Sequence, residues 1–92
     1  MVRQKVIIKN AGGIHLRAAG ALCNLENGFH SSIHFQTEKA ASSGNAKSVL
    51  SVLGACIQFG ERVEFICEGI DEEEALRALV DAVERGLDEA FE

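Results

Sequence analysis

Proline is absent from the 92 residues, and no stretch is biased toward a few residue types, so the chain offers neither a proline-rich linker nor a low-complexity tail. Basic residues are scarce: nine Lys and Arg against fourteen Asp and Glu leave a net charge of −5. That balance argues against a nucleic-acid partner, because binding a phosphate backbone needs an excess of Lys and Arg. No apolar run approaches the length of a membrane-spanning helix. Met1-Val2-Arg3-Gln4-Lys5 is not followed by the apolar core of a signal peptide. The expectation is a cytoplasmic protein without membrane insertion. Cysteine is limited to Cys23, Cys56 and Cys67, an odd number without paired metal-ligand spacing. They read as small buried apolar side chains in a reducing compartment. His30 and His34 lie four apart, but no Cys or acidic residue stands beside them at ligand spacing. On a strand they would be about 13 Å from each other. No metal or other cofactor is expected.

What is present is an ordinary globular balance, 47% apolar and 25% charged, in a length that suits a single domain over residues 1–92. Residues 2–8 alternate as a strand, with Val2, Gln4, Val6 and Ile8 on one face. A turn at Asn10-Ala11-Gly12-Gly13 precedes a helix over 16–27, where Ala18, Leu22, Leu25 and Phe29 recur at helical spacing with Ala21 alongside. Asn27-Gly28 ends it. Ile33, Phe35 and Thr37 mark a strand over 32–37, and a short strand around 40–43 is expected to pair with it. Ser42-Ser43-Gly44-Asn45 reads as a turn, 48–55 as a short apolar helix and 62–68 as a strand. Asp71 with Glu74 resembles a capping box opening a last helix, whose stripe is Leu76, Leu79, Val80, Val83 and Leu87. This order implies an antiparallel sheet with helices on one face.

The segment that can carry chemistry is Gly12-Gly13-Ile14-His15-Leu16-Arg17-Ala18-Ala19. It places a histidine where a glycine turn ends and a helix begins. Unpaired backbone N–H groups at a helix start form an anion site, and the helix dipole adds to it. Arg17 supplies a fixed charge and a forked donor for phosphate oxygens. A neutral imidazole keeps a lone pair that can attack phosphorus, and the same N–H groups and Arg17 would stabilise the charge of the product. No metal cluster, general base or nucleotide loop accompanies it; Gly12-Gly13-Ile14 lacks the G-x-G-x-x-G spacing. An acceptor without catalytic apparatus points to a carrier, not an enzyme. The four apolar residues Val49, Leu50, Val52 and Leu53 exceed one buried stripe, so part of the short helix is expected to be an exposed contact patch.

Gly13-Ile14-His15-Leu16-Arg17 resembles the active-centre signature G-[LI]-H-x-R of HPr, the histidine-containing phosphocarrier family of the bacterial phosphoenolpyruvate-dependent sugar phosphotransferase system. Asn45-Ala46-Lys47-Ser48-Val49-Leu50 resembles the second signature, around a regulatory serine. Lys5 to Asn10, Gly60 to Val63 and Gly69 to Leu76 fit the flanking elements, so the likeness runs over nearly the whole chain. The resemblance implies an α+β open-faced sandwich, a four-stranded antiparallel sheet covered on one face by three helices. It implies that His15 accepts a phosphoryl group at Nδ1 from Enzyme I and passes it to Enzyme IIA components, with Arg17 supporting the group. Gly20, Asn24, Val49, Leu50 and Leu53 would line the partner surface. Ser48, also readable as the cap of the short helix, would be a phosphorylation site for an HPr kinase/phosphorylase, and the protein would act as a monomer.

The sequence departs from the family pattern in places. Ala18 stands where proline is usual, which restores a backbone N–H; Gly12 replaces Asn or Ser; Cys56 replaces glycine; and the loop before Asn45 is about two residues longer. These departures keep a regulatory paralogue of the nitrogen-related branch as an alternative. A ligand-sensing or interaction domain of similar layout is a further one, against which His15 beside Arg17 argues.

Overall fold

A computed structural model of the chain describes residues 1–39 and 42–87. The described residues form four strands and three helices in the order β1 (Val2–Ile7), α1 (Leu16–Glu26), β2 (Ser32–Thr37), β3 (Ser43–Asn45), α2 (Val49–Gly54), β4 (Arg62–Glu68) and α3 (Glu72–Glu84). The strands make one sheet in the order β1-β4-β2-β3, with every neighbouring pair antiparallel. β4 is the shared partner: Val63 lies opposite Val6 and Thr37, and Phe65 opposite Gln4 and Phe35. Strict alternation then sends Ile33, Phe35, Val63, Phe65 and Cys67 into the core and leaves His34, Gln36, Arg62 and Glu68 on the open face. α3 packs over β1 and β4, α1 packs against both α2 and α3, and α2 lies beside β3. This is the open-faced sandwich expected from the sequence.

Four local readings need correction. The strand expected around 40–43 is β3, Ser43–Asn45, whose Gly44 and Asn45 pair with Phe35 and His34 where a turn was expected; residues 40 and 41 lie outside the described residues. Small polar residues such as these carry a weak strand signal, and only pairing with β2 makes them extended.

The buried face of α1 is Ala18, Ala19, Leu22, Cys23 and Glu26, with Leu25 and Phe29 only partly buried. The helix meets both α2 and α3, so its buried arc is broader and turned relative to the apolar stripe.

Asp71 occupies the N-cap position of α3 but makes no side-chain cap. Its carboxylate instead accepts the backbone N–H groups of His30 (2.9 Å) and Ser31 (2.8 Å) and the Ser31 hydroxyl, tying the start of α3 to the start of β2. These donors pull Asp71 down to about 2. Its contribution to stability is therefore complete above the ordinary aspartate range and is lost as pH falls from there through about 2.

Of the three cysteines, Cys23 and Cys67 are buried as expected, and burial pushes both thiols up to about 11. Cys56 is exposed, with φ of 51°, because it sits in the left-handed turn that follows α2.

Candidate functional site

The loop between β1 and α1 is built to present His15. Asn10 is buried at its start, and its carbonyl accepts the Gly13 N–H at 2.9 Å. Gly13 has φ of 72°, and a Cβ there would lie 2.4 Å from the Ile57 carbonyl oxygen, so no other residue fits this close approach. Immediately afterwards the Ile14 N–H donates to that same carbonyl at 2.9 Å, and the Ile14 side chain is buried. The segment after α2 thus fixes the loop from behind. His15 is the N-cap of α1, extended at φ −85° and ψ −177°, with its own carbonyl accepting the Ala19 N–H at 2.8 Å as the first helical bond. Its ring is exposed, and Nδ1 accepts the Ala18 N–H at 3.4 Å. Gly12 lets the ring lie close to the turn: a Cβ at that position would be 3.3 Å from His15 Cδ2.

The arrangement supplies an imidazole nitrogen with a lone pair aimed at the positive end of an eleven-residue helix. Arg17 is exposed in the first turn, two residues on. Leu16, between them, is also exposed (69%). Sequence reasoning passed over both Leu16 and Asn10. Leu16 was legible, since it lies off the face that carries Ala18, Leu22 and Leu25; the burial of Asn10 carried no sequence signal.

The remaining proposed site residues lie on α1 and α2, which pack against each other. Gly20 is half-buried on α1, and Asn24 is exposed one turn farther along. On α2, Val52 enters the core, Val49 and Leu53 are half-buried, and Leu50 is 83% exposed. Ser48 is the N-cap of α2, and its hydroxyl accepts the Ser51 N–H at 3.3 Å. Ser48→Ala should therefore lower stability by about 1 kcal/mol, and Ser48→Asp should change it little, because a carboxylate is a good cap. Melting curves of the two variants measure this. Among the described residues no three or more His, Cys, Asp or Glu side chains gather as a metal site, and no helix is long and apolar enough to cross a membrane.

The family described as "PTS HPr component phosphorylation site" matches residues 2–85. The chain belongs to the HPr family. Among HPr-family relatives, the HPr-like protein Crh of Halalkalibacterium halodurans is 34% identical over 85 residues, 92% of this chain and 99% of the relative. The phosphocarrier protein NPr of Proteus mirabilis is 33% identical over 86 residues, 94% of each chain. The chain spans only 22% of the multiphosphoryl transfer protein of Escherichia coli O157:H7, to which it is 31% identical over 84 residues. The crystal structure of HPr-C-His from Thermoanaerobacter tengcongensis superposes with a TM-score of 0.86 at 36% identity, covering 94% of both chains.

Proposed function

We propose that the protein accepts a phosphoryl group on His15 Nδ1 from Enzyme I, charged by phosphoenolpyruvate, and passes it to Enzyme IIA components in sugar uptake. The observation that carries this is the placement of His15: an exposed residue at a helix N-terminus, its Nδ1 accepting the Ala18 N–H, with Arg17 in the same turn. Nucleophile, anion cradle and counter-charge come from one short segment, which is what a group that must be loaded and unloaded by other proteins requires. Leu16 and Leu50, exposed on two helices that pack against each other, are apolar side chains available to partners, and Leu16 is the residue next to His15. A purely regulatory role is the second reading. The likeness to Crh of Bacillus subtilis, described as the catabolite repression HPr, supports it, as does the capping position of Ser48, where a phosphate would be tolerated by the fold and would add charge beside Val49 and Leu50.

The test is incubation with phosphoenolpyruvate and Enzyme I from the same host, followed by transfer to purified Enzyme IIA proteins. Acid-labile, base-stable labelling that passes to Enzyme IIA supports the sugar-uptake role. Labelling that none of the Enzyme IIA proteins accepts supports the regulatory reading. Arg17→Ala should slow transfer roughly a hundredfold, the effect of two to three kcal/mol lost from the transition state. Unchanged rates with both donor and acceptor would remove Arg17 from the chemistry. Ser48→Asp should slow acceptance from Enzyme I while the protein stays folded; a normal rate would remove Ser48 from the regulatory account.

A further inference from the structure

The N–H of Ala18 is one of the groups at the start of α1 that have no carbonyl one turn back, since the first helical bond is that of Ala19 to the His15 carbonyl. It points instead at His15 Nδ1, 3.4 Å away. A nitrogen that accepts a hydrogen bond carries no proton of its own, so the neutral ring has its proton on Nε2. Ala18 itself is fully buried, which fixes the direction of this N–H relative to the ring.

We propose that the Ala18 backbone N–H is a positioning group for phosphoryl transfer: it holds the neutral His15 ring with its lone pair on Nδ1, then passes to a phosphoryl oxygen once Nδ1 is phosphorylated. The inference rests on the reading of His15 as the phosphoryl acceptor. In the step, the Nδ1 lone pair forms the new N–P bond while the bond from phosphorus to the donor breaks, and its electron pair stays with the donor. The ring keeps its Nε2 proton, and the positive charge it gains is offset by the phosphoryl oxygens. Nδ1 can no longer accept the Ala18 N–H, and an oxygen on the attached phosphorus takes its place. A hydrogen bond to an ionised oxygen is roughly twice as strong as one between neutral partners, so the exchange favours the phosphorylated form. The proline usual at this position in the family signature has no N–H and cannot make either bond.

Two variants separate the N–H from the side chain. Ala18→Pro deletes the donor and adds two ring carbons, at a position in the first helical turn where proline is accepted, and Ala18→Gly keeps the donor and deletes the methyl group. Ring nitrogen NMR of the neutral histidine should show the wild-type and Ala18→Gly proteins with the proton on Nε2, and Ala18→Pro with a mixture of both forms. The equilibrium for phosphoryl transfer from Enzyme I should shift about tenfold toward the donor in Ala18→Pro and stay within about twofold of wild type in Ala18→Gly. A wild-type ring with its proton on Nδ1 overturns the inference without recourse to any variant. Normal labelling of all three proteins, with the same ring form and the same equilibrium, overturns it while leaving His15 as the acceptor. Failure of all three to be labelled at His15 overturns the functional reading, and this inference with it.

Discussion

Replacing His15 by alanine is expected to abolish phosphoenolpyruvate-dependent labelling and leave the fold intact. The residue is exposed, and its Nδ1 accepts the Ala18 N–H at 3.4 Å, so little packing is lost with the ring. The position is held by its neighbours: Gly13 against the Ile57 carbonyl, Ile14 in the core, and the backbone bond from Ala19 to the His15 carbonyl, all of which alanine retains. The cost is that of a lost cap, about 1 kcal/mol. Loss of the nucleophile, in contrast, removes the group that forms the covalent intermediate, so the labelling signal should fall to background and not merely slow. His15→Asn sharpens the test, since asparagine restores the cap without a nucleophilic ring nitrogen; it should recover the stability and none of the labelling. Full labelling of either variant would move the acceptor elsewhere.

Much of this site was readable in the sequence because its signals are local. A glycine pair before a histidine, an arginine two residues on and an apolar helical pattern behind them specify a turn, a cap and a helix start through short-range sterics and hydrogen bonding. The strands at 32–37 and 62–68 were legible for the same reason, as alternation in each survives without knowledge of its partner. What escaped was decided by distant contacts. β3 is extended only because β2 pairs with it. Asp71 resembles a helix cap in sequence, yet two backbone N–H groups and a hydroxyl forty residues earlier compete successfully for its carboxylate. Glu26 lies four residues after Leu22, on the buried face of α1, where an acidic residue is ordinarily assigned to the solvent side.

Glu26 provides the other large expected effect. Its side chain is 1% exposed, and neither carboxylate oxygen has a hydrogen-bond partner among the described residues. It sits in the last turn of α1, where the helix dipole also disfavours negative charge. Burial pushes its carboxyl up to about 9, with the Lys47 ammonium acting in the opposite direction. The folded protein therefore keeps this proton at neutral pH, while the unfolded chain releases it in the ordinary glutamate range. Between those two values the unfolded state binds fewer protons, so stability falls as pH rises, by about 1.4 kcal/mol per pH unit at most. The accumulated cost at pH 7 is about 3 kcal/mol. Glu26→Gln keeps the shape and cannot ionise. It should match the wild type at pH 4.5, exceed it by about 3 kcal/mol at pH 7, and gain further until about pH 9. Asp71 does not interfere, because its own loss lies lower, as pH falls through about 2. Burial, and then the Glu26 charge, push the Cys23 and Cys67 thiols toward about 11, so they act at the top of this range and above it. Urea unfolding of both proteins at half-unit steps from pH 4.5 to 9 reads the difference directly. Parallel curves across that range would mean that Glu26 is ionised in the folded protein, with Lys47, the cation already acting on it and now 2.7 Å from the Phe29 carbonyl, turned to pair with it.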